Sequence, residues 1–171
     1  RRQRQMCIRD SPHIVAKNEH DLFFAQGFSI AQDRLFQMDL DRLRCLGRSS
    51  EYLGKKAIYD DKLNVKRDFK RVAKSDLNKA SDSAKEMISS FTKGVNFYIT
   101  STEVFPMEYK LMEKKPELWE DWHSILVYKI RNAAEGSFNG KLFYSQLSNE
   151  IGAENAAKLI PKRNKNALKI A

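Results

Sequence analysis

The strongest constraint in this sequence is a set of helical apolar patterns that are not confined to one face. From Asn18 to Gly47 the residues Phe24, Phe28, Ala31, Leu35 and Met38 recur at three- and four-residue spacing, the period of one side of an α-helix. Asn18 suits the N-cap, Glu19 and Asp21 favour the positive end of the helix dipole, and Gly47 suits a left-handed stop. The pattern predicts one long helix ending near Leu46. Leu22, Phe23 and Phe24 are consecutive, as are Ile125, Leu126 and Val127. Helices that are apolar around much of their circumference are buried on several sides. The chain therefore reads as a piece of a larger assembly, with a compact helical domain as the simpler alternative.

The rest is also mostly helical. Ser11 to Ala16 is short, apolar and β-compatible, with Pro12 near its start, so it reads as an edge strand. A short helix is expected over Ser50 to Leu53, ending at Gly54, and a loop plus one helix between Lys55 and Lys74. Leu77, Ala80, Ala84, Met87, Ile88, Phe91 and Val95 form a stripe that predicts a single helix from Asp76 to Tyr98. Further helices are expected over Met107 to Lys114, Trp119 to about Ala134, Leu142 to Glu150 and Glu154 to Leu159.

Composition narrows the function. Of 171 residues, 31 are Lys or Arg and 22 Asp or Glu, a formal charge of +9. A surplus of that size invites a nucleic-acid or anionic-membrane partner. Its location argues otherwise. Arg1, Arg2, Arg4 and Arg9 stand against Asp10 at one end, and Lys162, Arg163, Lys165 and Lys169 against no acid at the other. The body from Pro12 to Pro161 is left with only about +2, an ordinary mixed surface. No apolar run approaches the roughly 20 residues of a membrane span, and no export signal is present in the sequence. Cys7 and Cys45 are the only cysteines, too few for a disulfide framework or a structural zinc site.

Catalytic groups are sparse. His13, His20 and His123 each stand apart from cysteine and from one another, and no nucleophile elbow, phosphate loop or His-Glu-x-x-His occurs. His13 reads as structural, and His123, between Trp122 and Ser124, as a helix-surface or satisfied core residue. The segment Ala31 to Asp39 is more distinctive. It sets Gln32, Asp33 and Arg34 opposite Phe28, Leu35 and Met38, so Arg34 either fixes neighbouring backbone or belongs to a solvated face.

Ordered blocks decide between these readings. Pro12-His13-Ile14-x-Ala16-x-Asn18-Glu19-x-Asp21 is followed by Ala25-Gln26-Gly27-Phe28 and Ala31-Gln32-Asp33-Arg34-Leu35-Phe36-Gln37-Met38. Gly47-Arg48-Ser49-Ser50-Glu51-Tyr52-Leu53-Gly54 comes next. Then come Gly94-Val95-Asn96, Pro106-Met107-Glu108-Tyr109, Pro116-Glu117-Leu118-Trp119 and Ser124-Ile125. In this order they resemble the penicillin acylase family of N-terminal-nucleophile amidohydrolases, over about Pro12 to Pro161.

The resemblance implies an α chain, mainly helical with one short N-terminal strand, forming part of an αββα heterodimer. Such chains are cut from a zymogen that also yields a β chain. The nucleophilic serine, its α-amine base and the oxyanion hole belong to β, so no catalytic residue is expected here. The implied reaction is hydrolysis of the amide of an N-acyl substrate, either a β-lactam antibiotic side chain or an N-acyl-homoserine lactone. The implied location is periplasmic or secreted. The α chain is expected to add acyl-pocket residues from the helix after the tryptophan block, here Ile130, Arg131, Ala134 and Phe138.

No cofactor is needed for that chemistry. A structural calcium is common in the family, but the matching ligand position is Lys141, which cannot ligate, so either the metal is lost or Glu135 substitutes. The usual aspartate before Ser124 is His123. Residues 1–11 read as a leader outside the family pattern, 12–161 as the α chain and 162–171 as a basic tail, a candidate start of the spacer. The alternative function is a non-catalytic helical interaction module with basic ends.

Overall fold

The computed structural model describes residues 6–8, 11–135 and 138–159, with side chains over 12–133 and 140–159. Two compact units divide at Arg131 and Asn132. The first begins with two strands, β1 (Met6–Ile8) and β2 (Ser11–His13), paired antiparallel with Cys7 opposite Pro12. The expected strand over 11–16 is thus shorter and has a partner.

The helices are α1 (Glu19–Leu46), α2 (Ser50–Leu53), α3 (Ile58–Arg67), α4 (Phe69–Lys79), α5 (Asp82–Ser101), α6 (Met107–Leu111) and α7 (Asp121–Glu135), with a 3₁₀ turn at Gly54–Ala57. In the second unit α8 (Phe138–Ile151) packs with α9 (Ala153–Leu159), where Ala156 is fully buried. Among the described residues no helix is long and apolar enough to cross a membrane.

Helix α1 starts and stops as its sequence dictates. Asn18 Oδ1 accepts the Asp21 N–H at 2.8 Å. At the other end Gly47 sits at φ 68°. Its N–H donates to the Arg44 carbonyl at 3.1 Å and the Arg48 N–H to that of Leu43 at 2.8 Å, closing a Schellman motif. A side chain at Gly47 would also strike the Asp61 carbonyl. The Asp61 carboxylate accepts the N–H groups of Ser49 and Ser50 at 2.8 and 2.7 Å, tying α3 to the start of α2. Burial would raise this carboxyl, but the hydrogen bonds from Ser50 and Ser49 outweigh it and hold it below the usual range. Within α1, Arg34 departs from helical geometry (φ −147°, ψ 38°), and the helix bends there.

The expected single helix over 76–98 is two. Helix α4 ends at Lys79, Ala80 and Ser81 are extended, and the Ser81 hydroxyl accepts the Ala84 N–H at 3.3 Å as the cap of α5. Serine, threonine and asparagine side chains compete with helical backbone in this way, and the apolar stripe hid the break.

Helices α1 and α5 form the centre of the first unit. Their backbones meet at two glycines. A Cβ on Gly27 would lie 2.1 Å from the Phe91 carbonyl oxygen, and one on Gly94 2.0 Å from that of Phe24. One core cluster holds Ala31, Leu35, Val95, Ile99, Tyr109 and Trp119. A second holds Cys45, Ala73, Trp122, Leu126 and Ile130.

Because the obstacle at each crossing is rigid backbone, Gly27→Ala and Gly94→Ala should each destabilise by about 3 kcal/mol in urea unfolding. Gly140→Ala, where a Cβ meets nothing within 4 Å, should be neutral or stabilising by up to about 1 kcal/mol. Equal behaviour at all three sites would remove the close crossing as the cause.

Candidate functional site: a buried charged frame beside an open groove

Two charged residues stand in the apolar stripe of α1. Asp39 follows Leu35 by one turn and Arg42 follows Asp39 by three residues, and both are almost completely buried, at 2% and 1% exposure. Arg42 donates to Asp39 Oδ1. The other carboxylate oxygen accepts the hydroxyls of Tyr52 at 3.0 Å and Tyr109 at 3.1 Å. Burial first, and the Asp39 charge second, push both phenols well above their ordinary range, so they remain donors.

Arg42 also donates to the Leu118 carbonyl at 3.2 Å, pairs with Glu117 at 3.2 Å and lies over the Trp119 ring. Glu117 is bound in turn by Arg48, which holds Glu51 as well. The Arg48 hydrogen bonds keep the Glu117 carboxyl below the usual range despite partial burial. Asn96 clamps the Trp119 backbone through both its N–H, at 2.7 Å, and its carbonyl, at 2.8 Å.

The Trp119 indole donates to Ser124 Oγ at 3.1 Å, bringing the frame to the start of α7. There His123 Nδ1 accepts the Glu120 N–H at 2.8 Å. This is the third residue of the helix reaching back to its N-cap, the role glutamate or glutamine plays in a capping box. The imidazole must be neutral at Nδ1 to do so. Burial, then the Arg42 charge, push its pKa down to about 4.

Trp119 and Ser124 also line an open groove of about 470 Å³ between α1, α5 and α7. Its apolar wall is Phe23, Ile30, Met38, Met87, Ile88, Phe91 and Val127, and its polar positions are Gln26, Arg34, Gln37, Asp41 and Arg131. Arg34 is exposed and bonds to the adjacent Asp33 at 2.8 and 3.1 Å. For Gln32, Asp33 and Arg34 the solvated-face reading fits, since all three are exposed.

Of the sequence-derived pocket residues, Arg131 reaches the groove and pairs with Asp41. Ile130 instead packs with Cys45, Trp122 and Leu126 in the second core cluster. The side chains of Ala134, Glu135 and Phe138 lie outside the described residues. Among the described residues no group of three His, Cys, Asp or Glu is placed to hold a metal ion, and Lys141 is exposed and offers no oxygen. Sequence reasoning missed the Asp39–Arg42 pair. The available signal was two opposite charges, three residues apart, at positions where the α1 stripe calls for apolar side chains.

The sequence pattern of the penicillin amidase family matches residues 9–171. The chain belongs to that family. Penicillin acylase 2 proenzyme from Pseudomonas sp. (strain SE83) is 40% identical over 148 residues, 86% of this chain and 19% of the relative. Acyl-homoserine lactone acylase QuiP from Pseudomonas syringae pv. tomato is 30% identical over 152 residues, 88% of this chain and 18% of the relative. This member of the family therefore spans about a fifth of these relatives' length. A thermostable penicillin G acylase from Alcaligenes faecalis has the same fold, with a TM-score of 0.69 at 20% identity over 95% of this chain and 92% of that one. The expected family and helical fold class are thus established, and the ordered blocks acquire a physical meaning. Arg48, Glu51, Tyr52, Asn96, Tyr109, Glu117, Trp119 and Ser124, drawn from five of them, are the residues assembled around Asp39 and Arg42.

Asp39→Asn should cost about 3 kcal/mol in urea unfolding, because it removes the buried one of the two carboxylates paired with the Arg42 guanidinium, whereas Asp39→Leu combined with Arg42→Met should recover much of that loss. Tyr109→Phe should cost about 2 kcal/mol. Losses near zero in all three would mean the frame does not fasten the fold.

The His123 proton gives a pH signature. The unfolded chain takes up this proton near pH 6.5 and the folded chain only near 4. The group's contribution is therefore constant above about 6.5, falls as pH drops from there to about 4, and is level below. His123→Gln keeps an acceptor for the Glu120 N–H but does not titrate. Stability of the two proteins measured between pH 7 and 4 should diverge in favour of the variant, and parallel curves would show that His123 is not buried neutral.

Proposed function

We propose that this chain is the α subunit of a two-chain amidohydrolase that cleaves the amide of N-acyl substrates. The observation that supports this most is its 40% identity to a proenzyme of which it spans 19%. A proenzyme is cut on maturation, and the remaining four-fifths has room for a larger β chain. In this reading the β chain presents an N-terminal serine. Its hydroxyl attacks the amide carbonyl, its α-amine takes the proton and passes it to the departing amine, and water then releases the acyl group.

The α chain's part is to build a wall for the acyl group near the end of α7. Arg131 is suited to orienting the substrate, since Asp41 fixes its guanidinium at the groove rim. Ala134 and Phe138 follow it toward the next helix, and Ile130 contributes by holding α7 against the core. Both a penicillin acylase and acyl-homoserine lactone acylases are among the relatives, so aryl-acetyl β-lactams and N-acyl-homoserine lactones are the two substrate classes. A periplasmic or secreted location belongs to the same reading, and no step depends on a metal.

The test is to express this chain with the rest of its precursor and assay phenylacetyl and long-chain acyl amides. The pair should hydrolyse one class and this chain alone neither. Arg131→Ala should raise KM about tenfold with little change in kcat. Failure of the pair to hydrolyse either class would sink the proposal.

A further inference from the structure

The groove extends along α1 well beyond Arg131, the position assigned above to the substrate. Its lining on α1 runs from Phe23 to Asp41, a contour of roughly 27 Å at 1.5 Å per residue that bends at Arg34, the length of at most about eight residues of extended polypeptide. The wall is apolar along this length, with Ile30, Met38, Met87 and Phe91 only half-buried. The polar groups suit a peptide backbone more than a polyanion. Gln26 and Gln37 are exposed carboxamides, each able to donate and to accept, and Arg131 is already neutralised by Asp41.

Resting on the two-chain reading above, we propose that this groove seats an extended segment of the β chain, with apolar side chains alternating into the wall and backbone amides meeting Gln26 and Gln37. Three things on the molecule favour that occupant over others. The relatives are about five times as long as the part this chain matches, so the same polypeptide has ample length to cover the groove. The near-neutral rim selects an uncharged strand over nucleic acid or an acidic tail. The glycine crossing of α1 and α5 fixes the spacing of the two walls, giving the segment a preformed slot. Alternate side chains of an extended strand point to opposite faces, so the segment should read apolar at every second position.

The experiment uses the full precursor with an affinity tag on this chain. Gln37→Cys, at an exposed position and carrying a photoreactive benzophenone, should cross-link to the β chain, while Lys110→Cys with the same label on α6 should not. The background carries Cys7→Ser, and the native Cys45 thiol does not compete, because burial pushes its pKa up to about 12. Independently, Ile30→Lys and Met87→Lys should lower co-purified β chain at least tenfold while the helical circular dichroism of the tagged chain is retained. Leu111→Lys, on an exposed apolar residue away from the groove, should leave co-purification unchanged.

A cross-link from Gln37→Cys to a second copy of this chain, or to no chain, overturns the proposal. So does full retention of β by the two lysine variants, including the case in which only acyl preference changes, which would make the groove a ligand pocket. If the wild-type precursor yields no second chain, the two-chain reading itself falls and this proposal with it. An intact heterodimer lacking the cross-link removes only the groove's role.

Discussion

The buried Asp39–Arg42 pair is the interaction on which the first unit depends. Placing two charges in an apolar interior is costly, and mutual attraction offsets that cost only where the remaining donors and acceptors are also matched. Here Tyr52, Tyr109, Leu118 and Glu117 supply the match. They lie on α2, on α6 and in the loop before α7, so the pair selects one arrangement of segments that also pack on the core through Tyr52, Tyr109 and Trp119. Arg42 Nε alone lacks a partner, and the frame carries little redundancy beyond that.

How much of this was legible in the sequence follows from the kind of signal each element sends. Helix α1 was readable to its end residues, because Asn18 and Gly47 act locally and announce themselves. The break at Ala80–Ser81 was not, since a continuous apolar stripe runs through it and only the Ser81 hydroxyl marks the restart. The fold family was legible in ordered blocks, but the blocks did not reveal why their residues belong together. Tyr109 and Asp39 are 70 positions apart, and nothing in either neighbourhood points to the other. His123 was ambiguous between surface and core for the same reason. Its role depends on the Glu120 backbone and on burial by Trp119 and Trp122.

The two glycines and the charged frame act on the same pair of walls. Gly27 and Gly94 bring α1 and α5 into backbone contact, and Trp119, clamped by Asn96 of α5, reaches across to Ser124 of α7. The groove between them is therefore bounded by elements whose positions are fixed from behind. Its shape does not depend on whatever occupies it, which lowers the ordering cost of binding.

The long sequence separations within the frame bear on how the chain is made. Asp39 and Arg42 leave the ribosome well before Tyr109 and Glu117, with 70 residues between Asp39 and Tyr109. At about 5–20 residues per second, the last turns of α1 spend about 4–14 s with a charged pair that lacks its Tyr109 and Glu117 partners. During that interval α1 has reason to stay at the surface of the nascent chain, and its apolar stripe needs shelter from other chains. The α1–α5 crossing can form earlier, but the frame is joined to the apolar core only with the arrival of Trp119, which touches both.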